Sequence, residues 1–178
     1  MTTLATIAIR AAEKKLPFLV VGGHAVVAHG FPRSTFDIDL VVARDDQDRW
    51  KAVLQELGYV LLHQGPTFVQ FKEPTGQVPP LYLMLVSRET LSRFLGEAVA
   101  APDNECGAKI VSLRHLLALK CHAAKHGGQH RIVKDADDVI RLVEANRLKM
   151  SDPEIRELFL KHGTAEFYEK VRRATGQN

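Results

Sequence analysis

Residues 19–42 read LVVGGHAVVAHGFPRSTFDIDLVV. Leu19-Val20-Val21 is a short apolar run that stops at Gly22-Gly23, which predicts a buried strand followed by a tight turn. Ala25 to Ala28 lacks alternation and fits one or two helical turns, broken by Gly30 and Pro32. Phe36 to Val42 predicts a second strand. Within it Asp37 and Asp39 alternate with Phe36, Ile38 and Leu40. A strand sends successive side chains to opposite faces, so the two carboxylates share one face.

Two acids at that spacing repel one another, and strands disfavour Asp. A divalent cation between them removes the repulsion. Mg²⁺ takes oxygen ligands and is held by one or two carboxylates plus substrate phosphates. A solvated strand face with two surface acids is the alternative for a bare D-x-D. The flanking residues favour the metal. Gly22 and Gly23 have no Cβ, so a backbone can approach a polyanion there. The helix that follows offers N–H donors to phosphate. Arg33 precedes Asp37 by four residues and suits a phosphate clamp.

Gly22-Gly23, thirteen further residues and then Asp37-Ile38-Asp39-Leu40 resemble the signature of the nucleotidyltransferase fold shared with DNA polymerase beta. The fuller string resembles the small bacterial branch that holds antibiotic nucleotidyltransferases and the toxins of toxin–antitoxin pairs. The resemblance implies an α/β (α+β) fold, a mixed-sheet core flanked by helices with a C-terminal helical subdomain. It implies Mg²⁺, one ion or two, on Asp37 and Asp39 as the catalytic pair. Gly22, Gly23 and Arg33 would bind the nucleoside triphosphate. The implied reaction transfers a nucleoside monophosphate to an acceptor hydroxyl and releases pyrophosphate. The acceptor stays open among a small molecule, a tRNA end and a protein, and a cognate antitoxin is a further implied partner.

The same resemblance implies a third carboxylate on a later strand. In the matching run Leu81–Val86, the pattern places Met84 where that acid is expected. A thioether is a poor Mg²⁺ ligand and no useful proton acceptor. Glu73 is a weak substitute. The alternative reading is therefore a catalytically degenerate module that binds a nucleotide or a partner. The helical segment with Lys120, Lys134 and Asp135 is also similar to the toxin-like branch, where such residues lie near the nucleotide. An ion pair between Lys120 and Asp135, with Asp135 at a helix start, is the equal structural alternative.

The 178 residues carry 24 basic and 21 acidic side chains, a net charge of +3. So mild an excess argues for no nucleic-acid partner. An apolar fraction of 46% and this length allow a sizeable core. Two cysteines, Cys106 and Cys121, are too few for a disulfide scaffold or a cysteine-built zinc site and fit a reducing cytoplasm. No run approaches membrane-spanning length, so no membrane partner is expected.

Outside the central stretch, the pattern predicts a helix over 2–15 and another capped by Asp45 or Asp46, with Trp50, Val53, Leu54 and Leu57 on its core face. Strands follow at 59–63, 67–73 and 81–86, then a helix over 88–98 capped by Ser87. Residues 102–107 form the best break. The division expected is a core over 1–100 and a helical subdomain over 108–178. The latter holds helices over 113–126 and from about Lys134, a third behind a Ser151–Glu154 capping box, and a fourth capped by Thr164. His122, His126 and His130 recur every four residues, but Gly127-Gly128 interrupts them, which favours surface histidines over a metal site.

Overall fold

The computed structural model describes residues 2–101, 107–127 and 129–177. In chain order the elements are α1 (Thr3–Glu13), β1 (Phe18–Val20), α2 (Gly22–Ala28), β2 (Ile38–Ala43), a 3₁₀ turn (Arg44–Asp46) and α3 (Gln47–Glu56). There follow β3 (Val60–Gln64), β4 (Phe68–Lys72), β5 (Leu81–Val86), α4 (Arg88–Gly96), β6 (Val99–Ala100) and β7 (Lys109–Ile110). The helices α5 (Leu113–His126), α6 (Gln129–Ala145), α7 (Pro153–His162) and α8 (Ala165–Ala174) complete the chain. Two compact units result: residues 1–28 with 33–112, and residues 29–32 with 113–178.

The first unit is built on a seven-stranded mixed sheet in the order β3-β4-β5-β2-β1-β7-β6. The pairs β2–β5 and β1–β7 are parallel and the others antiparallel. One face is the core: Ile38, Leu40 and Val42 of β2, Leu81, Leu83 and Leu85 of β5, and Val69 and Phe71 of β4 are all buried. Strand alternation sends Asp39, Tyr82, Met84, Phe68 and Gln70 to the opposite face. Trp50 is a core residue, fully buried and edge-on to Phe18 with ring centroids 5.6 Å apart.

β2 begins at Ile38 rather than Phe36, so it carries Asp39 while Asp37 lies just before it, and strand alternation does not set the face of Asp37. The first ladder bond runs from Ile38 N–H to the Pro80 carbonyl at 2.9 Å. Pro79 and Pro80 have no N–H to extend the ladder beyond it. Phe36 is accordingly outside the sheet and 75% exposed. Tyr59, expected in a strand, stands just before β3, and its hydroxyl donates to the Pro79 carbonyl at 3.0 Å.

Caps divide between expectation and correction. Ser87 Oγ accepts from Thr90 N–H, and Thr164 Oγ1 from Phe167 N–H, each at 3.1 Å. At α7 the cap is Asp152, one residue beyond Ser151, with Pro153 opening the helix. Asp46 stands at the start of α3 but makes no side-chain cap bond. Its buried carboxylate accepts from Arg49 at 3.0 Å and Arg88 at 3.2 Å instead. Two guanidiniums are stronger partners than one backbone N–H.

The second unit is helical. α6 starts at Gln129, five residues before the expected Lys134, so Asp135 lies within the helix and caps nothing. Its carboxylate is turned to Lys120 of α5. The Lys120 ammonium donates to Asp135 Oδ1 and Asp138 Oδ2, each at 2.6 Å, and all three side chains are buried. The Asn146 amide also ties residues 29–32 into this unit by donating to the His29 carbonyl at 2.8 Å. The His122 and His126 rings lie 4.5 Å apart between centroids, tilted at 48°, while Cys106 and the His130 side chain lie outside the described residues. No helix among the described residues is long and apolar enough to cross a membrane.

Candidate active site

The turn after β1 is built around two close approaches. Val21 N–H donates to the Asp39 carbonyl at 2.9 Å, which brings the glycine pair against β2. Gly22 has φ +61°, and a Cβ there would stand 1.9 Å from Asp39 Oδ2. No side chain fits that space, and the left-handed backbone disfavours one as well. A Cβ on Gly23 would stand 2.1 Å from Thr35 Oγ1 and 3.2 Å from Arg33 Nη2. Two bare α-carbons therefore let one turn touch both the acid of β2 and the loop that carries Arg33.

Gly22 thus lies against Asp39, and Gly23 against Thr35 and Arg33. Asp37 stands two residues before Asp39, at the mouth of the ladder, and both acids are partly exposed. The Arg33 guanidinium also donates from Nη1 to the Ser34 carbonyl at 3.1 Å. Lys120 belongs to the other unit, where its ammonium bridges the two aspartates of α6.

His24 is a residue that the sequence reading passes over. It follows the glycine pair directly, and position is the signal that would have found it. Burial pushes its pKa below the usual imidazole value. The Asp39 carboxylate opposes that shift and the Arg33 guanidinium adds to it.

The β2–β5 register corrects the place of the expected third acid. Asp39 is paired with Tyr82, whereas Met84 is paired with Val41, one step further along the same face. The residue beside Asp39 is therefore a phenol, and the thioether is its next neighbour. Gln70 on β4 is paired in turn with Tyr82, and its amide donates to the Tyr82 hydroxyl oxygen at 2.9 Å. Glu73 does not replace the missing carboxylate. It closes the turn after β4, accepting from Thr75 N–H at 3.0 Å and Gln77 N–H at 3.2 Å. These bonds, with that from the Thr75 hydroxyl, hold its pKa below the usual carboxylate value.

Asp37 and Asp39 each offer carboxylate oxygens, and Asp39 Oδ2 lies against the bare Gly22. Oxygen donors of this kind are the type that could hold a hard cation such as Mg²⁺.

The same architecture occurs in solved structures. The antibiotic-resistance factor ANT(2'')-Ia, seen in solution, superposes with a TM-score of 0.65 at 14% identity, covering 98% of this chain and 96% of that one. The chain has the nucleotidyltransferase fold. An antigenic nucleotidyltransferase-like protein from Paracoccidioides brasiliensis matches this nucleotidyltransferase-fold chain with a TM-score of 0.58 at 18% identity, over 98% of it and 90% of the other. The lincosamide adenylyltransferase LnuA, with lincomycin bound, gives 0.52 at 17% identity, over 80% and 96%. No protein-family model matches the sequence, and no curated protein sequence matches it.

Proposed function

We propose that the protein is a nucleotidyltransferase that moves a nucleoside monophosphate from a nucleoside triphosphate to an acceptor hydroxyl. The observation that carries the reading is the contact between Gly22 and Asp39. A left-handed glycine leaves room for a strand carboxylate at the turn where a phosphate chain would lie. The second acid, Asp37, stands two residues away in the sequence.

In this reading Asp37 and Asp39 hold Mg²⁺, which when bound neutralises phosphate charge and polarises the α-phosphoryl group. Gly22 and Gly23 allow the triphosphate close to the backbone, and the Arg33 guanidinium pairs with phosphate oxygen. The acceptor oxygen bonds to the α-phosphorus as its proton leaves to water. The P–O bond to the β-phosphate breaks, and its electron pair departs on pyrophosphate. Preorganised charge of this kind is the main contribution that a protein makes to phosphoryl chemistry.

ANT(2'')-Ia has been seen with adenylyl-2''-tobramycin and LnuA with lincomycin, which supports a small hydroxyl-bearing acceptor here. The expectation of an antitoxin rests on the sequence resemblance alone. The second reading, a non-catalytic module, draws on the β5 register: neither Tyr82 nor Met84 supplies a carboxylate beside Asp39. Thermal melting with ATP, with and without Mg²⁺, tests the metal and nucleotide. A ligand that binds only the folded state raises the melting temperature by mass action. Asp39→Asn removes the Mg²⁺-dependent part of that rise; an unchanged rise in the variant overturns the metal assignment. Pyrophosphate release separates transfer from mere binding.

A further inference from the structure

The face that carries Asp39 continues outward across three strands. Cross-strand pairing runs Asp39–Tyr82–Gln70–His63, one residue from each of β2, β5, β4 and β3. Beside this polar row runs an apolar one, in which Met84 is paired with Phe68. The two rows meet in aromatic contact: the His63 and Phe68 rings stack at 5.1 Å with an interplanar angle of 28°. None of these five residues beyond Asp39 is buried, and Phe68 is 40% exposed. The reverse side of β2, β5 and β4 is the closed core. On β2 that face closes over Val41 and Ala43, both buried, so the open, half-polar and half-aromatic surface lies on β5, β4 and β3, with Asp39 at its edge.

The charge of this surface is one-sided. Among the described residues of β3, β4 and β5 that share the face of Asp39, none is acidic, and Lys72 adds a cation to it. A polyamine finds no carboxylate there beyond the acids at the metal-binding end. A ring finds an aromatic stack and a thioether, and a hydroxyl finds a phenol held by an amide.

We propose that this face is the acceptor platform and that it takes an uncharged, hydroxyl-bearing ring compound. Tyr82 and Gln70 orient the acceptor hydroxyl toward the Asp39 end, and Phe68, His63 and Met84 receive the ring. The proposal rests on the nucleotidyltransferase reading above. Tyr82 is a positioning residue in it, acting on the acceptor and not on the triphosphate.

The chain has three methionines, so methyl-¹³C labelling places a reporter on the platform at Met84, with the buried Met150 of the other unit as an internal reference. The probes are uridine and methyl β-D-glucopyranoside as neutral ring compounds, and kanamycin as a polycation. A neutral probe moves the Met84 methyl resonance saturably and leaves Met150 in place. Tyr82→Phe weakens that response by about threefold to tenfold, the worth of one hydrogen bond. Phe68→Ala weakens it by about fivefold or more through lost stacking. ATP with Mg²⁺ is run on each protein as a separate melting experiment, and Phe68→Ala keeps the stabilisation that it produces. A Met84 response to kanamycin but to neither neutral probe overturns the proposal. So does the absence of any response to both neutral probes, or a response that ignores both substitutions. Missing ATP stabilisation in the unmodified protein, with the neutral-probe response intact, overturns the transfer reading instead.

Discussion

Asp39 and Tyr82 are direct partners across the parallel β2–β5 ladder, and Met84 stands one pair further along, beside Val41. That relationship decides where a third carboxylate would complete the acid pair. Tyr82→Asp places the new acid next to Asp39, whereas Met84→Asp places it next to a valine. The first substitution raises Mg²⁺ affinity, and transfer by up to about 10²-fold where a general base is limiting. It also lowers metal-free stability through like-charge repulsion, a loss that Mg²⁺ reverses. Radiolabel transfer and melting with and without Mg²⁺ compare the two variants. A larger Mg²⁺ response from Met84→Asp than from Tyr82→Asp would contradict the register.

Gly22 and Gly58 both have positive φ, at +61° and +85°, but only Gly22 has an occupied Cβ direction. Gly58→Ala bears the backbone cost alone, about 1–2 kcal/mol. Gly22→Ala bears that cost and a collision with the Asp39 carboxylate, so its loss in urea denaturation exceeds that of Gly58→Ala. It also abolishes the Mg²⁺-dependent stabilisation by ATP, which Gly58→Ala retains. Equal losses from the two variants would show that the turn relaxes away from Asp39.

Lys120 joins α5 to α6 through two buried carboxylates. Lys120→Met leaves Asp135 and Asp138 buried without their cation and costs about 3–5 kcal/mol. The triple variant Lys120→Met, Asp135→Asn, Asp138→Asn recovers part of that loss, because no uncompensated charge remains. Chemical denaturation of the single and triple variants checks the order. A single variant as stable as the parent protein would deny the triad its structural role.

Cys121 is fully buried, and burial pushes its thiol up to about 12 from an ordinary 9.0. Because the thiolate is the nucleophile, a native Cys121 alkylates slower than an exposed thiol by about 10³-fold or more near pH 8. A Cys106→Ser background isolates the signal for iodoacetamide labelling. Between pH 9 and 12 the folded chain holds a proton that the unfolded chain releases, so this group's contribution to stability falls as pH rises through that window. Prompt native labelling at pH 8 would show that the α5 region opens.

Much of this fold was legible because periodicity and punctuation agree. The glycine pair, the D-x-D alternation and the apolar run at 81–86 each reflect a local rule, and β1, α2, β2 and β5 follow from them. Where long-range partners decide, the sequence is silent. Asp46 looks like a cap until Arg88, far along the chain, claims its carboxylate. Asp135 looks like a helix start until Lys120 draws it inward. β6 and β7 have two residues each, too few to leave a periodic trace. The site divides in the same way. Gly22, Gly23, Arg33, Asp37 and Asp39 lie within one short stretch. Tyr82 and Gln70 depend on register, which no single strand encodes. Met84 and Tyr82 share a face, and only the pairing with β2 separates them.

The two rims of the sheet differ in how they discourage growth. At one rim β3 is exposed along its whole length and carries Val60, Leu61 and Leu62. Its pairing with β4 is dislocated between Leu61 and His63. Such a bulge twists an edge and breaks the even spacing that a foreign strand would need to zip along it. At the other rim β6 is only two residues long, too short to template anything. A second copy meeting the β3 rim would find matching hydrogen-bond spacing on only one side of Leu62. The apolar side chains there can thus stay in contact with water without seeding a fibre.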